Sequence, residues 1–176
     1  YPSDANGRRN FQIRMQRVLH DGVAPVITWN VDFNAMESRD PELMGSFNLT
    51  TLGRAGGPGS QGGHMTALHD YEIETEEFGV LAAGVTLDPD DPEDARKLEA
   101  ALLPSSKVRF FRTKNSWGAL RPDRGNAPGM PGYHDLHIDY MNGPIQWCPS
   151  VDGQKTAENC RGSATPFRDV LFPPGY

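Results

Sequence analysis

Two short blocks carry the residue types that chemistry needs, Gly62-Gly63-His64-Met65 and Asn115-Ser116-Trp117-Gly118. An imidazole gains and loses a proton near neutral pH, and a partner that accepts a hydrogen bond from one ring nitrogen decides which nitrogen does the work. His64 and Asn115 are the residues of those types in the two blocks. Singly, each has a plainer reading, a residue after a glycine turn and a residue at a strand end.

Other groupings are weaker. His134, Asp135, His137 and Asp139 are metal-ligand types, but strand alternation puts His134 on the face opposite the other three. A solvated edge is expected there, and no metal. His69 and Asp70 are adjacent and point apart, and His20 with Asp21 sits in a turn. No Gly-x-Ser-x-Gly elbow occurs for a serine nucleophile. The glycines from Gly53 to Gly63 lack the Gly-Lys-Ser/Thr ending of a phosphate loop and lead into a strand pattern rather than a helix. No cofactor is expected.

The elements that must position His64 and Asn115 follow from periodicity. Phe11, Met15, Val18 and Leu19 recur at helical spacing after Asn10, a good N-cap, and Gly22 ends the run. From Pro25 the pattern changes to period two, with Ile27, Trp29, Val31 and Phe33 on one side of a half-buried strand. The glycine-rich stretch up to Gly63 is a loop. His64 to Ile73 and Lys107 to Asn115 alternate as two further strands. Between them Asp91 caps a helix with Pro92 at its first position, Glu93 and Asp94 in its first turn, and Ala95, Leu98 and Leu102 facing inward until Pro104. Residues 74–106 are thus an insertion between the His and Asn strands. Arg121 to Pro131 suits an exposed loop, and Tyr133 to Met141 alternates as another strand. The fold class is α+β, a mostly antiparallel β-sheet or barrel with flanking helices. Residues 1–143 are expected to form one domain, with 144–176 a loop-rich tail packed on it.

The two blocks resemble the papain-like cysteine peptidase family, in which a His follows Gly or Asp at the start of one strand and an Asn-Ser-Trp-Gly block ends a neighbouring one. Lys114 to Gly118, preceded by Phe110-Phe111-Arg112 and followed by Gly132-Tyr133, is a close match. Val18 to Val26 looks like that family's helix end, glycine turn and following strand, so the resemblance covers Phe11 to Met141. It implies the C-terminal, right-hand, barrel-like domain and the hydrolysis of peptide bonds, as an endopeptidase or exopeptidase. His64 would be the imidazole that holds a cysteine as thiolate, protonates the leaving amine and later draws a proton from water. Asn115 would accept from the ring N–H turned away from the sulfur, and Trp117 would cover that bond, with Gly63 and Ser116 in support.

The match departs from the family at Asp70, where glycine is usual, and in lacking a second tryptophan between Gly118 and Tyr133. The larger departure is the nucleophile, for no cysteine precedes His64. The family's Gln and Cys-Trp lie far upstream, the Cys opening a helix whose dipole helps hold the thiolate. Gln146-Trp147-Cys148 has those residue types in the wrong order and runs into a turn. The expected partner is therefore a separate or cleaved N-terminal segment or chain carrying the catalytic Cys, and the substrate a peptide or protein. The alternative is a catalytically inactive remnant that serves as a peptide- or protein-binding module. A carbohydrate-binding or structural β domain rests on β content and acidity alone.

Composition bounds the rest. The net charge of -6, from 17 Lys and Arg against 23 Asp and Glu, argues against a nucleic-acid footprint. No apolar run approaches the roughly 20 residues that span a bilayer. Cys148 and Cys160 lie in the turn-rich tail. A disulfide between them is preferred over two free thiols, since closing such a loop removes denatured-state entropy worth about 3 kcal/mol. That bond implies an oxidising location, secreted, extracellular or periplasmic.

Overall fold

Asp4, not Asn10, starts the first helix, α1 (Ala5–His20), because its carboxylate accepts the otherwise orphaned Gly7 N–H. Tyr1 packs edge-on against Phe11 and secures the extra turns. At the other end Gly22, with φ +74°, turns the chain out of the helix as expected. The computed structural model describes residues 1–37, 40, 43–50, 61–116, 126–127, 129–148 and 161–176, without the side chains of 37, 147 and 161–163. Trp117, Cys160, the glycines from Gly53 to Gly59 and most of the loop expected from Arg121 lie outside those residues.

After α1 come β1 (Val26–Asp32), a 3-10 turn (Phe33–Ala35), β2 (Met36–Glu37), β3 (Ser46–Phe47), β4 (Gln61–Thr75) and β5 (Gly79–Leu81). Then follow α2 (Pro92–Ala101), β6 (Lys107–Lys114), β7 (Tyr133–His137), α3 (Ile138–Asn142), β8 (Ile145–Trp147), β9 (Arg161–Ala164) and β10 (Phe167–Leu171). One sheet runs β10-β1-β4-β6-β7-β3-β2, with β5 paired to the far end of β4, and β8 and β9 form a separate hairpin. It curls into a half-barrel, so the molecule is a mixed α and β structure with few helices. Every pairing in the main sheet is antiparallel except β3 with β7.

The sheet curls because β4 is long and bulged. Its inward row is His64, Thr66 and Leu68, and after a register shift between Leu68 and Asp70 the row continues at Tyr71, Ile73 and Thr75. An extra residue in one strand switches which alternate side chains face the core and sharpens the local twist. The concave face holds Trp29, Phe47, Phe111, Leu136 and Tyr140, each 1% exposed or less. Trp29 meets both Phe47 and Tyr140 edge-on. Helix α1 adds Met15 to this same core cluster and buries Val18. Gln16, fully buried, accepts from Arg9 at 2.7 Å and donates to the Ala101 carbonyl at 3.2 Å, tying α1 to the end of α2. Helix α2 starts at the expected place, the Asp91 carboxylate accepting the Glu93 and Asp94 N–H groups.

Two further expectations need correction. The strand expected from Tyr133 to Met141 stops at His137, and α3 follows. One helical turn puts both Tyr140 and Met141 inside, which strict alternation could not do, and the Tyr140 hydroxyl donates to the Asn30 carbonyl while accepting the Asp32 N–H. Nor is this segment a solvated edge. β7 is covered on both sides by β6 and β3, leaving His134 2% and Asp135 5% exposed.

Candidate active site

The elements converge at the open end of the half-barrel. Full pairing of β1 with β4 sets Trp29 opposite His64 and Asn30 opposite Gly63. β4 pairs in turn with β6, where Phe111 and Thr113 point inward, and the next inward position is Asn115, just past the strand end. The Asn115 N–H donates to the Gly132 carbonyl at 2.8 Å, which holds it in line with the strand. The insertion at 74–106 leaves and returns at the far ends of β4 and β6, so its length does not separate the two residues.

His64 Nε2 and Asn115 Oδ1 lie 3.0 Å apart. An amide oxygen can only accept, so Nε2 carries the proton and donates, and Nδ1 is the basic nitrogen of the neutral ring. Asn115 is 7% exposed, and its Nδ2 is buried with no hydrogen-bond partner among the described residues. Such an orphan costs about 1–3 kcal/mol. The protein thus holds this amide in place for its oxygen. Trp29 and the His64 ring meet in a T-shaped contact, centroids 5.6 Å apart, and the Trp29 indole N–H donates to Thr66 Oγ1 at 3.1 Å. The ring is therefore fixed by a hydrogen bond on one side and an aromatic contact on the other.

Beside His64 runs an open groove of about 610 Å³, lined by Gly63, Met65, Ser116, Asn30 and Arg168 among others. Gly63 and Ser116 are exposed on its wall, and Met65 is 57% exposed. A side chain or main chain carrying an electrophilic carbonyl can lie there within reach of the imidazole. The sequence reading brought His64, Asn115, Gly63 and Ser116 together, and the structure does the same. It missed Trp29, taken only as a core residue, and Arg168, which reaches the groove because β10 pairs with β1. Nothing local in the tail signals that pairing. Cys148 is buried, 2% exposed, and its expected pairing with Cys160 lies outside the described residues.

His134 Nδ1 donates to the Gly45 carbonyl at 3.2 Å, and burial pushes its pKa down. His137 is likewise lowered by burial. Asp135 is held by Arg112 through two bonds of 2.7 and 2.9 Å. No group of three or more metal-ligating side chains gathers among the described residues. A second, more enclosed cavity of about 570 Å³ lies between α1, β4, β5 and α2, lined by Leu19, His20, Tyr71, Leu81 and Leu98. There His20 Nε2 hydrogen-bonds the Tyr71 hydroxyl, whose pKa burial pushes up to about 12.

Among the described residues no helix is long and apolar enough to cross a membrane. In comparisons with known proteins, no family model, no curated protein and no solved structure matches the chain.

Proposed function

We propose that this chain is the histidine- and asparagine-bearing half of a papain-like cysteine peptidase, acting on peptide bonds with a cysteine supplied by another segment or chain. The observation that carries the reading is the 3.0 Å bond from His64 Nε2 to Asn115 Oδ1 beside an open groove. Bonded in that sense, Nδ1 is the nitrogen assigned to the sulfur. A thiol brought to it would pass its proton to the ring, giving thiolate and imidazolium. The thiolate attacks the scissile carbonyl, His64 protonates the leaving amine, and in the second half-reaction the neutral ring takes a proton from the attacking water. Asn115 holds the ring plane without the full charge of a carboxylate, so the imidazolium is not locked in an ion pair. The strand order supports the same reading, since His and Asn come from paired neighbours. The Cys148–Cys160 disulfide and an oxidising location belong to this proposal.

The test uses this chain together with the cysteine-bearing partner, obtained from the full reading frame or by co-purification. Thiol-dependent cleavage of fluorogenic peptides is expected, and His64→Ala should reduce kcat by on the order of 10² to 10⁴. Retained thiol-dependent cleavage in that variant removes His64 from its role.

A second reading has its own support. The groove is open, with Gly63, Met65 and Ser116 exposed along it, and in this reading it binds a peptide or protein without cleaving it. Peptide binding with no cysteine-bearing partner in the native material would favour that module.

A further inference from the structure

We propose that Arg168 makes the groove beside His64 select a carboxylate on the bound peptide, an inference that rests on the peptidase or peptide-binding reading of that groove. Arg168 lies on β10, which pairs with β1, and β1 supplies Thr28, Trp29 and Asn30 to the groove wall. Apart from His64, it is the one ionisable side chain among the described residues that line the groove. A fixed positive charge there stands against a net charge of -6 for the whole chain.

The cation is held rather than loose. Its Nε donates to Asn30 Oδ1 at 2.7 Å. Asn30 is 1% exposed, and its backbone is pinned twice: its N–H donates to the Pro166 carbonyl at 2.7 Å and its carbonyl accepts the Tyr140 hydroxyl at 2.7 Å. A guanidinium bound through Nε keeps its end-on edge, the Nη1 and Nη2 fork, for a planar anion, and that fork matches a carboxylate in two parallel bonds. Among the described residues no carboxylate lies within ion-pair distance of Arg168, whereas Arg96, Arg109 and Arg112 each have one and Lys97 has two. The adjacent Asp169 turns Oδ1 to the Val170 N–H. A solvated arginine with no anchor would lose more side-chain entropy on meeting a ligand, and this one has already lost part of it.

Two sources could bring the carboxylate to the fork, an Asp or Glu side chain within the peptide or a free C-terminus. The experiment separates them. The 176-residue chain is titrated with acetylated, amidated hexapeptides in which a single Glu is moved along a neutral sequence, with the matching Gln peptides, and with the neutral peptide ending in a free carboxylate. Nitrogen-15 NMR follows the Arg168 Nε–H, the Trp29 indole and the His64 ring, and thermal unfolding verifies that Arg168→Met is folded.

The expected result is binding about fivefold tighter for one Glu register than for its Gln counterpart, or for the free carboxylate over its amide, with the preference abolished in Arg168→Met. The first pattern assigns an acidic side chain and the second a chain terminus, and either supports the proposal. Peptides that move the Trp29 and His64 signals with no carboxylate preference overturn it and leave the peptidase reading standing. A preference that survives Arg168→Met also overturns it. If no peptide moves those signals, the carboxylate proposal fails together with the groove's assignment as a peptide site.

Discussion

Asn115 offers its oxygen to His64, and among the described residues its own Nδ2 is buried with no acceptor, a polar group held at a cost so that another stays in place. The bond fixes the tautomer as well as the ring plane. In the folded protein His64 should therefore show the Nε2–H form in nitrogen-15 spectra at a pH where the ring is neutral. Asn115→Ala should give a mixture of both forms. If the proposed peptidase is reconstituted with its cysteine-bearing partner, the same variant should reduce kcat by on the order of 10² with a much smaller change in KM. A wild-type spectrum dominated by the Nδ1–H form would contradict the arrangement.

Arg112 and Asp135 make the one ion pair among the described residues that is closed off from water, 7% and 5% exposed, with two hydrogen bonds between them. The Asp135 hydrogen bond raises the Arg112 pKa further above its ordinary value, so the guanidinium stays charged throughout the working range. Removing one partner leaves an uncompensated buried charge. Arg112→Met and Asp135→Asn should each destabilise by about 3–5 kcal/mol. The double variant should cost less than the sum of the two, and urea unfolding of all four proteins measures the coupling. Additive losses would mean that the pair acts through packing alone.

What the sequence disclosed depended on the range over which each signal acts. Helix α2 was readable from Asp91-Pro92 and the acidic first turn because capping is local. The paired strands carrying His64 and Asn115 were readable from period two. Tyr140 was misassigned because alternation over a few residues cannot be told from the start of a helical turn when the turn's purpose is a contact with Asn30 far away in the chain. Asp135 was placed on a solvated edge because the pairing that covers it, β3 laid parallel on β7, joins distant residues through a two-residue strand. Arg168 entered the groove by the same kind of long-range pairing, which no local pattern encodes.

Three imidazoles make stability depend on pH in one direction. His20, His134 and His137 are each lowered, with burial the largest cause in every case. In the unfolded chain they titrate near the ordinary value of about 6.5. Between that value and the lower folded ones the unfolded state binds more protons, so stability rises with pH across this window. It is complete above the ordinary value and is lost as pH falls below it. The urea midpoint should therefore drop between pH 7.5 and pH 5.5, before most carboxylates titrate. His137→Gln should flatten part of that slope, and an unchanged slope would exclude His137 from it.

Gly45 sets the close approach that covers β7. It sits at φ +71° immediately before β3, and a Cβ there would lie 2.2 Å from the Asn126 carbonyl carbon and 2.4 Å from the Ala127 nitrogen. Both neighbours are backbone and cannot rotate away. Its carbonyl also accepts the Asp135 N–H at 3.2 Å and the His134 ring. Gly45→Ala combines a left-handed conformation with a backbone collision, and should cost at least about 2 kcal/mol from the dihedral and the displacement together. The damage should spread from β3 to β7, the strand next to the one that positions Asn115. Hydrogen exchange would then show lost protection at Asp135 and Phe47 well before α1 opens. If exchange rose uniformly instead, Gly45 would be supporting global stability and not the local pairing that holds this side of the barrel in register.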